Sequence, residues 1–416
     1  MQQSDHSGPL GRPDPVARSE QSGPAYPAGR PDPADRLDAI VIGAGLIGSA
    51  IAWRARRLGL RVALADPGHP QAASTVAAGL LAPVSEAHYG EEGVLALSLE
   101  SARRYPEFVR ELEADAGVGP GAAGYQACGT LSVAYDRDDG AVLAETAGFH
   151  RRLGLASETL TGAQCRELEP LLAPGVYGGF LAGQDNVVDN RRLLATLHTA
   201  LERTATPIHR QAVTEILIEA GAAVGVRLAD GARLAAAQVV LAAGAWSNAI
   251  GGLPSGLLPT IRPVKGQILR LAVPAPQRPF VSRAVFGLVR GRKVYLAPRV
   301  HGELVVGATA EEAGFDPQPT AGGVYELLRD AHVLFPGIGE LPLAEISVGM
   351  RPCAADNAPV LGRTALPGLI AATGHYRNGV LLTPVTADLV AGLLAGGDLP
   401  GWAGEFQPRR PAGAGR

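Results

Sequence analysis

Hydrophobic positions first take a regular pattern near Asp38. The run DAIVIG is almost entirely apolar, as expected of a strand buried on both faces. In the following LIGSAIAWRARRLG, the residues Ile47, Ile51, Ala55 and Leu58 recur with helical spacing, and RVALAD is a second apolar run. We therefore predict a strand, a helix and a parallel strand in succession, with a ligand at the carboxyl ends of the strands.

The rest of the chain mixes helices and strands. A helix is predicted over Glu91–Ala116, and Pro106 is expected to kink or break it. Thr161 and Gln164 have the spacing of a capping box, and Asp189 is placed to cap the next helix. The other predicted elements are strands in GTLSVAYD, KGQILRLAV, KVYLAPR and GELVVGAT, a meander over residues 207–243, a helix near Gly322–Phe335, and a closing strand and helix in LIAATGHYRNG and VLLTPVTADLVAGLLAG.

This order predicts a mixed α/β fold in which a second domain with an antiparallel sheet is inserted, in two pieces, into a dinucleotide-binding domain. Residues 1–36 are rich in Pro and Gly and poor in aliphatic side chains, so we predict a disordered tail there. The predicted boundaries are residues 37–84, 185–260 and 341–400 for the dinucleotide-binding domain, 85–184 and 261–340 for the second domain, and 401–416 for a flexible C-terminus.

Composition excludes several classes of protein. The 416 residues carry 37 basic and 40 acidic side chains, a net charge of −3 without basic blocks, so we expect no nucleic-acid partner. Cys128, Cys165 and Cys353 are odd in number and lack metal-ligand spacing, which predicts neither a disulfide framework nor a metal site. The uncharged stretch 238–261 contains prolines and polar residues, so we interpret it as strand and loop. We expect no membrane association and a cytoplasmic location.

A glycine-rich turn connects the first predicted strand to the first helix. Gly43 permits the tight turn, Gly45 lets the backbone approach a pyrophosphate, and Gly48 allows the helix to pack closely. Asp66 ends the second strand, where a carboxylate can bind a ribose hydroxyl. We predict dinucleotide binding, the alternative being a glycine turn that serves packing alone. This fingerprint does not distinguish NAD from FAD, because both present an ADP half.

Longer motifs distinguish these cofactors. VIGAGLIGSAIAW, ASTVAAGLLAP, PVKGQ, YLAPR, VVGAT, GMRPCAADNAPVLG and GHYRNGVLLTPVTADLV together resemble the FAD-dependent amine oxidases of the D-amino acid oxidase and sarcosine oxidase superfamily. Within it, the chain is similar to the glycine oxidases of thiamine biosynthesis. The resemblance runs from about Asp38 to Ala395 and implies a Rossmann-like FAD-binding domain with an inserted substrate-binding domain.

The resemblance also implies which residues contact FAD. Asp66 departs from the family pattern, which usually has the longer Glu, although the carboxylate is retained. Cys353 does not match the cysteine that binds flavin covalently in some sarcosine oxidases, so we predict non-covalent FAD. The implied cofactor residues are Gly43, Gly45, Leu46, Ile47, Gly48, Asp66, Pro67, Ala73, Ser74, Ala78, Gly79, Leu80, Val213, Gly244, His375, Tyr376, Arg377, Asn378, Gly379, Val380 and Leu381.

An amino-acid substrate has a carboxylate that needs a cationic partner in a poorly solvated cleft. By resemblance, Arg351 in GMRP binds this carboxylate, Arg377 in HYRNG lies near substrate and flavin, and Tyr295 in YLAPR assists. The alternative for each is a salt bridge or buried hydroxyl that only supports the fold. Phe286 stays outside the predicted site because its segment differs in length. For Lys265, a structural ion pair is favoured over a role in oxygen reduction.

The implied reaction is oxidation of glycine to the imine and glyoxylate, with oxygen as electron acceptor and hydrogen peroxide as product. The imine would supply thiazole formation in thiamine biosynthesis. The alternatives are an oxidase or dehydrogenase of sarcosine or a small D-amino acid, and a flavoprotein subunit that needs a partner. The resemblance further implies a homotetramer, and the small molecules expected to bind are the amino acid and oxygen.

Overall fold

The structure of the chain is a computed structural model that describes residues 36–408. The predicted disordered tail lies outside the described residues except for Arg36, which donates a hydrogen bond to the carbonyl of Ala236. The helices are α1 (Leu46–Arg57), α2 (Ala73–Val76), α3 (Glu92–Ala116), α4 (Arg137–Arg152), α5 (Gly162–Leu168), α6 (Asn190–Arg203), α7 (Ala321–Leu334) and α8 (Thr383–Leu394). The strands are β1 (Leu37–Ile42), β2 (Val62–Ala65), β3 (Leu80–Leu81), β4 (Tyr125–Gln126), β5 (Thr130–Ala134), β6 (Glu158–Thr161), β7 (Gly178–Ala182), β8 (Asn186–Val188), β9 (Ile208–His209), β10 (Val213–Glu219), β11 (Ala222–Leu228), β12 (Arg233–Leu241), β13 (Arg262–Ala272), β14 (Ala284–Val289), β15 (Arg292–Pro298), β16 (Glu303–Gly307), β17 (Leu343–Cys353), β18 (Val360–Arg363) and β19 (Leu369–Thr373).

The first sheet contains the predicted strand–helix–strand unit. β1 lies between β2 and β12 and is parallel to both, and β12 also pairs in parallel with β19. β9 continues the parallel part beyond β2, whereas β10, β11 and β18 pair antiparallel with their neighbours. The carboxyl ends of β1, β2, β12 and β19 therefore lie at one edge, where open parallel sheets bind ligands.

β1 shows why this sheet gives an uninterrupted apolar pattern. Successive side chains of a strand point to opposite faces. Ala39 and Val41 belong to the core formed with α1, α3, α6 and α8. Ile40 and Ile42 belong to a second core, formed with β10, β11 and β12. Both faces are covered, so no polar position is tolerated in the centre of the strand.

The second sheet is mainly antiparallel, in the order β17-β13-β16-β15-β14-β5-β7-β6, with one parallel pairing between β14 and β5. α5 and α7 pack on it through a separate apolar core. A small third sheet, β3-β8-β4, lies apart from both. The mixed α/β fold class predicted from the sequence is confirmed. Both predicted helix caps are confirmed as well, since Thr161 and Gln164 form a capping box and Asp189 accepts from two amides of α6.

Tertiary packing overrides the local signal at two places, namely at Pro106, where a break was one of the two expected outcomes, and at the boundary predicted at residue 341. α3 continues through Pro106 without a break, since Tyr105 and Phe108 bury the same helix in the core while the proline is exposed. The predicted boundary at residue 341 assigns β17 to the dinucleotide-binding segments. The hydrogen bonds of β17 instead join it to β13 of the second sheet, from Leu343 to Cys353.

The C-terminal segment also differs from its prediction. Residues 401–416 are expected to be flexible, but Gly401–Phe406 forms a short 3-10 helix. Ala403 and Phe406 are buried in the core that contains α1 and α8. The burial of these two apolar side chains explains why the segment packs against the core that contains α1 and α8. Residues 409–416 lie outside the described part of the chain.

Candidate active site

A cavity of about 920 Å³ opens between the two large sheets. Ile42 and Ala65 reach it from the carboxyl ends of β1 and β2, and Ala242 reaches it just after β12. Tyr295 and Arg351 line it from β15 and β17 of the second sheet. Its volume is near the upper end of the range for ligand sites, as expected when a large cofactor and a small substrate share one space.

The glycine turn forms one wall of this cavity. Gly43 has a φ of +106°, and a Cβ there would lie 2.4 Å from the carbonyl oxygen of Ala242, so only glycine fits. Gly43, Gly45, Leu46 and Ile47 line the cavity. The first turn of α1 has no acidic side chain, so no carboxylate of the helix itself offsets the positive end of its dipole. The wall therefore fits a pyrophosphate.

Gly48 does not line the cavity and acts one turn further along α1. A Cβ on this residue would lie 2.0 Å from the carbonyl oxygen of Gly43. Because Gly48 has no Cβ, α1 can approach the end of β1 closely. Gly48 thus has the packing role predicted for the third glycine of the motif.

The residues predicted to hold the adenosine half converge on the same side of the cavity. Asp66, Pro67 and Val213 all line it. The carboxylate of Asp66 accepts hydrogen bonds from the backbone amides of Ala44 and Gly68, so in this structure it braces the glycine turn. The shorter aspartate thus lines the cavity while both of its oxygens are held by backbone amides.

The middle of the cavity is formed by backbone segments that approach closely. Ala73, Ser74, Ala78, Gly79 and Leu80 line it, and Ser74 Oγ accepts a hydrogen bond of 2.9 Å from the amide of Leu46. Gly79 has a φ of +69°, and a Cβ there would lie only 1.8 Å from the carbonyl oxygen of Val188. The close approach of the Val188 backbone therefore excludes a side chain at this position of the wall.

The segment GHYRNG forms the wall near α8. Its predicted residues divide into two groups. His375, Tyr376, Arg377, Gly379 and Val380 line the cavity, as does Gly244 after β12. Asn378 and Leu381 do not line it. Leu381 is buried in the core, where its carbonyl accepts a 2.6 Å hydrogen bond from Ser101. Burial lowers the pKa of His375 to about 3, so its imidazole is neutral and hydrogen-bonded to Thr386.

Arg351 and Tyr295 form a polar group at the other end of the cavity. One guanidinium nitrogen of Arg351 donates a 3.0 Å hydrogen bond to the carbonyl of Thr309, which fixes the side chain across the sheet. The guanidinium lies directly over Gly266, where a Cβ would meet it at 2.4 Å. Burial raises the pKa of Tyr295 to about 12, although Arg351 acts in the opposite direction. The tyrosine therefore remains a hydroxyl donor beside a fixed cation.

Arg377 is already held by other protein groups. Its guanidinium forms an ion pair with Glu91 and lies 3.2 Å from His88 Nδ1. Asn357 donates a 2.9 Å hydrogen bond to the same Glu91 carboxylate. Part of the charge of Arg377 is thus neutralised, whereas Arg351 forms no ion pair with any described residue. Arg351 is the better carboxylate ligand of the two.

Four further residues line the same end and were not predicted: Glu86, His88, Phe286 and Lys293. Glu86 and His88 come from the loop between β3 and α3, which we call loop 83–91. The surrounding sequence, VSEAHYG, contains no motif that would have identified these two residues. Phe286 lies opposite Tyr295 on the adjacent strand, and their rings are tilted by 58° with centroids 5.9 Å apart. A prediction that β14 pairs with β15 would have placed Phe286 beside Tyr295 and therefore in the site.

Two other candidate residues lie outside the cavity lining. The Lys265 ammonium pairs with Asp316 at 2.7 Å and with Glu311 at 3.7 Å, which supports the structural ion pair. Cys353 is buried, and its thiol contacts Asn357 and a backbone carbonyl. Burial raises the pKa of this thiol, so it is not an activated nucleophile. Over residues 36–408, no group of His, Cys, Asp and Glu has the arrangement of a metal site.

The fold and the cavity are those of a dinucleotide-binding protein, with a fixed cationic group, Arg351, at the far end of the cavity. A family model described as "FAD dependent oxidoreductase" (DAO) matches residues 38–393, and the chain belongs to this family. The predicted cofactor class is thereby confirmed as FAD, and the glycine turn and the side-chain-free wall at Gly79 fit it. Among helices of the described region, none is long and apolar enough to span a bilayer.

Known relatives agree with this assignment. The chain is 34% identical over 359 residues to a "Bifunctional protein ThiO/ThiG" of Trichormus variabilis, covering 85% of this chain and 52% of the relative. It thus spans about half the length of that relative. It is 32% identical over 364 residues to a "Glycine oxidase" of Geobacillus kaustophilus, covering 86% and 93%. The crystal structure of the glycine oxidase from G. kaustophilus superposes with a TM-score of 0.82 at 30% identity, covering 91% and 100%.

Proposed function

We propose that this chain is an FAD-dependent glycine oxidase. The observation that carries the proposal is the arrangement at the substrate end, where the fixed guanidinium of Arg351 and the protonated Tyr295 face the cavity that also contains the glycine turn. The relatives named glycine oxidase support the choice of substrate. The balanced reaction is glycine, oxygen and water giving glyoxylate, ammonia and hydrogen peroxide.

The protein contributes orientation. We expect Arg351 to accept the substrate carboxylate on its free guanidinium edge, while Tyr295 donates a hydrogen bond to the same group. These two contacts would fix the position of the substrate α-carbon relative to the cavity wall formed by Gly79 and the GHYRNG segment. Bound FAD supplies the two-electron redox chemistry. The buried setting strengthens the charged contacts because little water competes for them.

The FAD would be held by the residues that surround the larger part of the cavity. We propose the pyrophosphate at the glycine turn, the adenosine near Asp66 and Val213, and the ring system near Gly79 and His375. Cys353 lies outside this lining, which supports non-covalent binding. The segments 37–84, 185–260 and 354–400 then form the FAD-binding domain, with β17 moved to the substrate-binding domain by its pairing with β13.

The biological setting follows from the similarity to ThiO/ThiG. We propose that the imine formed from glycine supplies thiazole formation in thiamine biosynthesis. A cytoplasmic homotetramer is proposed on the family resemblance, and Cys128, Cys165 and Cys353 are all free thiols, as a reducing compartment favours. Light scattering of the purified protein tests the tetramer.

An anaerobic experiment tests the reaction. The yellow holoenzyme is mixed with glycine, the flavin absorbance is followed, and air is then admitted while peroxide is assayed. We expect bleaching, recovery and peroxide, whereas methylamine, which lacks the carboxylate, leaves the absorbance unchanged. Bleaching only with sarcosine or D-alanine would move the substrate to the alternatives. Bleaching without recovery in air would indicate a dehydrogenase, and no bleaching with any of them would contradict the proposed function.

A further inference from the structure

Glu86 is a carboxylate that the proposed mechanism does not use. It lies in loop 83–91 and lines the cavity beside Arg351 and Tyr295. Among described residues, no group donates a hydrogen bond to its carboxylate or pairs with it as an ion. The neighbouring acids differ in this respect, because Glu91 is paired with Arg377 and Asp185 accepts two backbone amides. Glu86 is therefore a hydrogen-bond acceptor that lines the cavity and has no side-chain partner among residues 36–408.

The charges around Glu86 act in both directions. Arg377, Arg351 and Lys293 favour the carboxylate, while Asp185 opposes it. His88 on the same loop has its pKa lowered, first by burial and then by Arg377, so it is uncharged near neutral pH. Burial is the largest influence on Glu86 and raises its pKa to about 7. The group can therefore take up or release a proton at physiological pH.

The position of Glu86 is fixed by the residues just before it. Asp185 accepts hydrogen bonds from the amides of Val84 at 3.0 Å and Ser85 at 2.8 Å. The same loop is anchored at its start by the pairing of β3 with β8. Tyr295 experiences the charges of both Glu86 and Arg351, which act on its pKa in opposite directions. The anion, the cation and the hydroxyl thus form one cluster.

An α-amino acid carries a carboxylate and an ammonium group on the same carbon. We propose that Glu86 binds the amino group of the substrate whose carboxylate is bound by Arg351, and accepts the proton that the ammonium form loses before oxidation. In this step one N–H bond breaks, an O–H bond forms on Glu86, and the nitrogen retains its electron pair. The inference rests on the proposed function and adds a proton acceptor to it.

The first test is the pH dependence of kcat/KM, measured as flavin reduction by the amino acid that reduces the native holoenzyme. In the native enzyme we expect an acid limb near pH 7. Glu86→Gln should lower kcat/KM at pH 7 by about 10- to 100-fold, because one charge-assisted hydrogen bond is lost. It should also move the acid limb of the pH profile towards the pKa of the free amine. Glu86→Asp, which keeps the carboxylate, should restore the limb near its native position.

The control is Glu92→Gln, which removes a carboxylate in the first turn of α3 that does not line the cavity. A second measurement separates recognition from folding. Calorimetric titration of the holoenzyme with acetate, which lacks the amine, should give an affinity no lower in Glu86→Gln than in the native protein. The affinity for the amino acid, measured anaerobically by the amplitude of flavin reduction, should fall.

The outcomes distinguish the two proposals. If glycine, sarcosine and D-alanine all fail to reduce the native flavin, the proposed function fails and the role of Glu86 fails with it. If the native enzyme is reduced but Glu86→Gln keeps the native pH profile, the role of Glu86 alone is overturned. Equal losses of acetate and amino-acid binding would also overturn it, since they would indicate a damaged pocket.

Discussion

Replacing Gly79 by alanine tests how closely two strands must approach to form the cavity wall. A Cβ at this position would lie 1.8 Å from the carbonyl oxygen of Val188, where ordinary contact begins at 3.4 Å. The backbone would have to separate by about 1.6 Å. The two strands are held together by the hydrogen bond from the Val188 amide to the Gly79 carbonyl, at 2.8 Å. Arg299 also fixes the adjacent Ala78 carbonyl at 2.7 Å.

Two contributions to the free energy of unfolding are expected for Gly79→Ala. The positive φ of +69° costs about 1 kcal/mol for a residue with a Cβ. Relief of the overlap costs a further 1–3 kcal/mol or so, as in overpacked cores. Gly59→Ala is the matched control, because its φ is +82° and nothing lies within 4 Å of its Cβ. The difference between the two variants isolates the overlap.

The assay is thermal unfolding of both holoenzymes, followed by circular dichroism, with flavin fluorescence to report FAD release. We expect the melting temperature of Gly79→Ala to lie about 1–4 °C below that of Gly59→Ala, because 1 kcal/mol shifts the melting temperature of a chain of this size by little more than about 1 °C. Weaker FAD retention is also expected, because Gly79 lines the cavity whereas Gly59 does not. Equal melting temperatures would refute the reasoning, since they would mean that the Val188 carbonyl moves away freely.

Three further predictions concern the substrate, stability and the cofactor. Arg351→Lys keeps the charge but loses the guanidinium fork, so we expect the KM for the amino acid to rise about 10- to 100-fold in anaerobic flavin reduction, and an unchanged KM would refute the assignment. Glu345 accepts two hydrogen bonds from Arg191, which lower its pKa from 4.5 to about 2. The stabilisation is therefore complete above pH 4.5 and is lost as the pH falls through 2. Because the Glu345 side chain is 41% exposed, we expect Glu345→Gln to lower the free energy of unfolding in urea by about 1 kcal/mol at pH 7 and by less at pH 3. An equal loss at both pH values would exclude a stabilising ion pair. When the holoenzyme is unfolded in detergent and filtered through a membrane that retains the chain, all FAD should appear in the filtrate. Flavin retained on the chain would contradict the position of Cys353 outside the cavity lining.

Local features of the sequence predicted the first sheet and its ligand edge. The glycine turn, β1, β2 and the two helix caps depend on residues close together in the chain, so their pattern is sufficient. Pairings between distant segments leave no such signal. β17 joins β13 about 80 residues earlier, as Arg351 lies opposite Val264. No periodicity within either strand specifies that neighbour.

The candidate site follows the same division. Most of the residues predicted to contact the cofactor line the cavity, and the motifs that carry them consist of backbone turns at fixed spacing. The substrate side brings together Glu86, Lys293 and Arg351 from a loop and two strands. Arg351 was predicted from its motif GMRP, whereas Glu86 and Lys293 carry no motif in their own segments and meet Arg351 only through the tertiary structure. Phe406 illustrates the same effect, because only its partners in the core reveal that the C-terminal segment packs.

Loop 83–91 has a consequence for how specificity can change. It places Glu86 in the cavity lining and supplies Glu91 to Arg377, while its Tyr89 contacts Phe149 of α4 with ring centroids 3.9 Å apart and the rings tilted by 31°. The glycine turn and its neighbours on the FAD side belong to other segments. An exchange of this loop would therefore replace the carboxylate that faces Arg351 and would leave the glycine turn unchanged, provided that the new loop keeps an acid at position 91 to pair with Arg377.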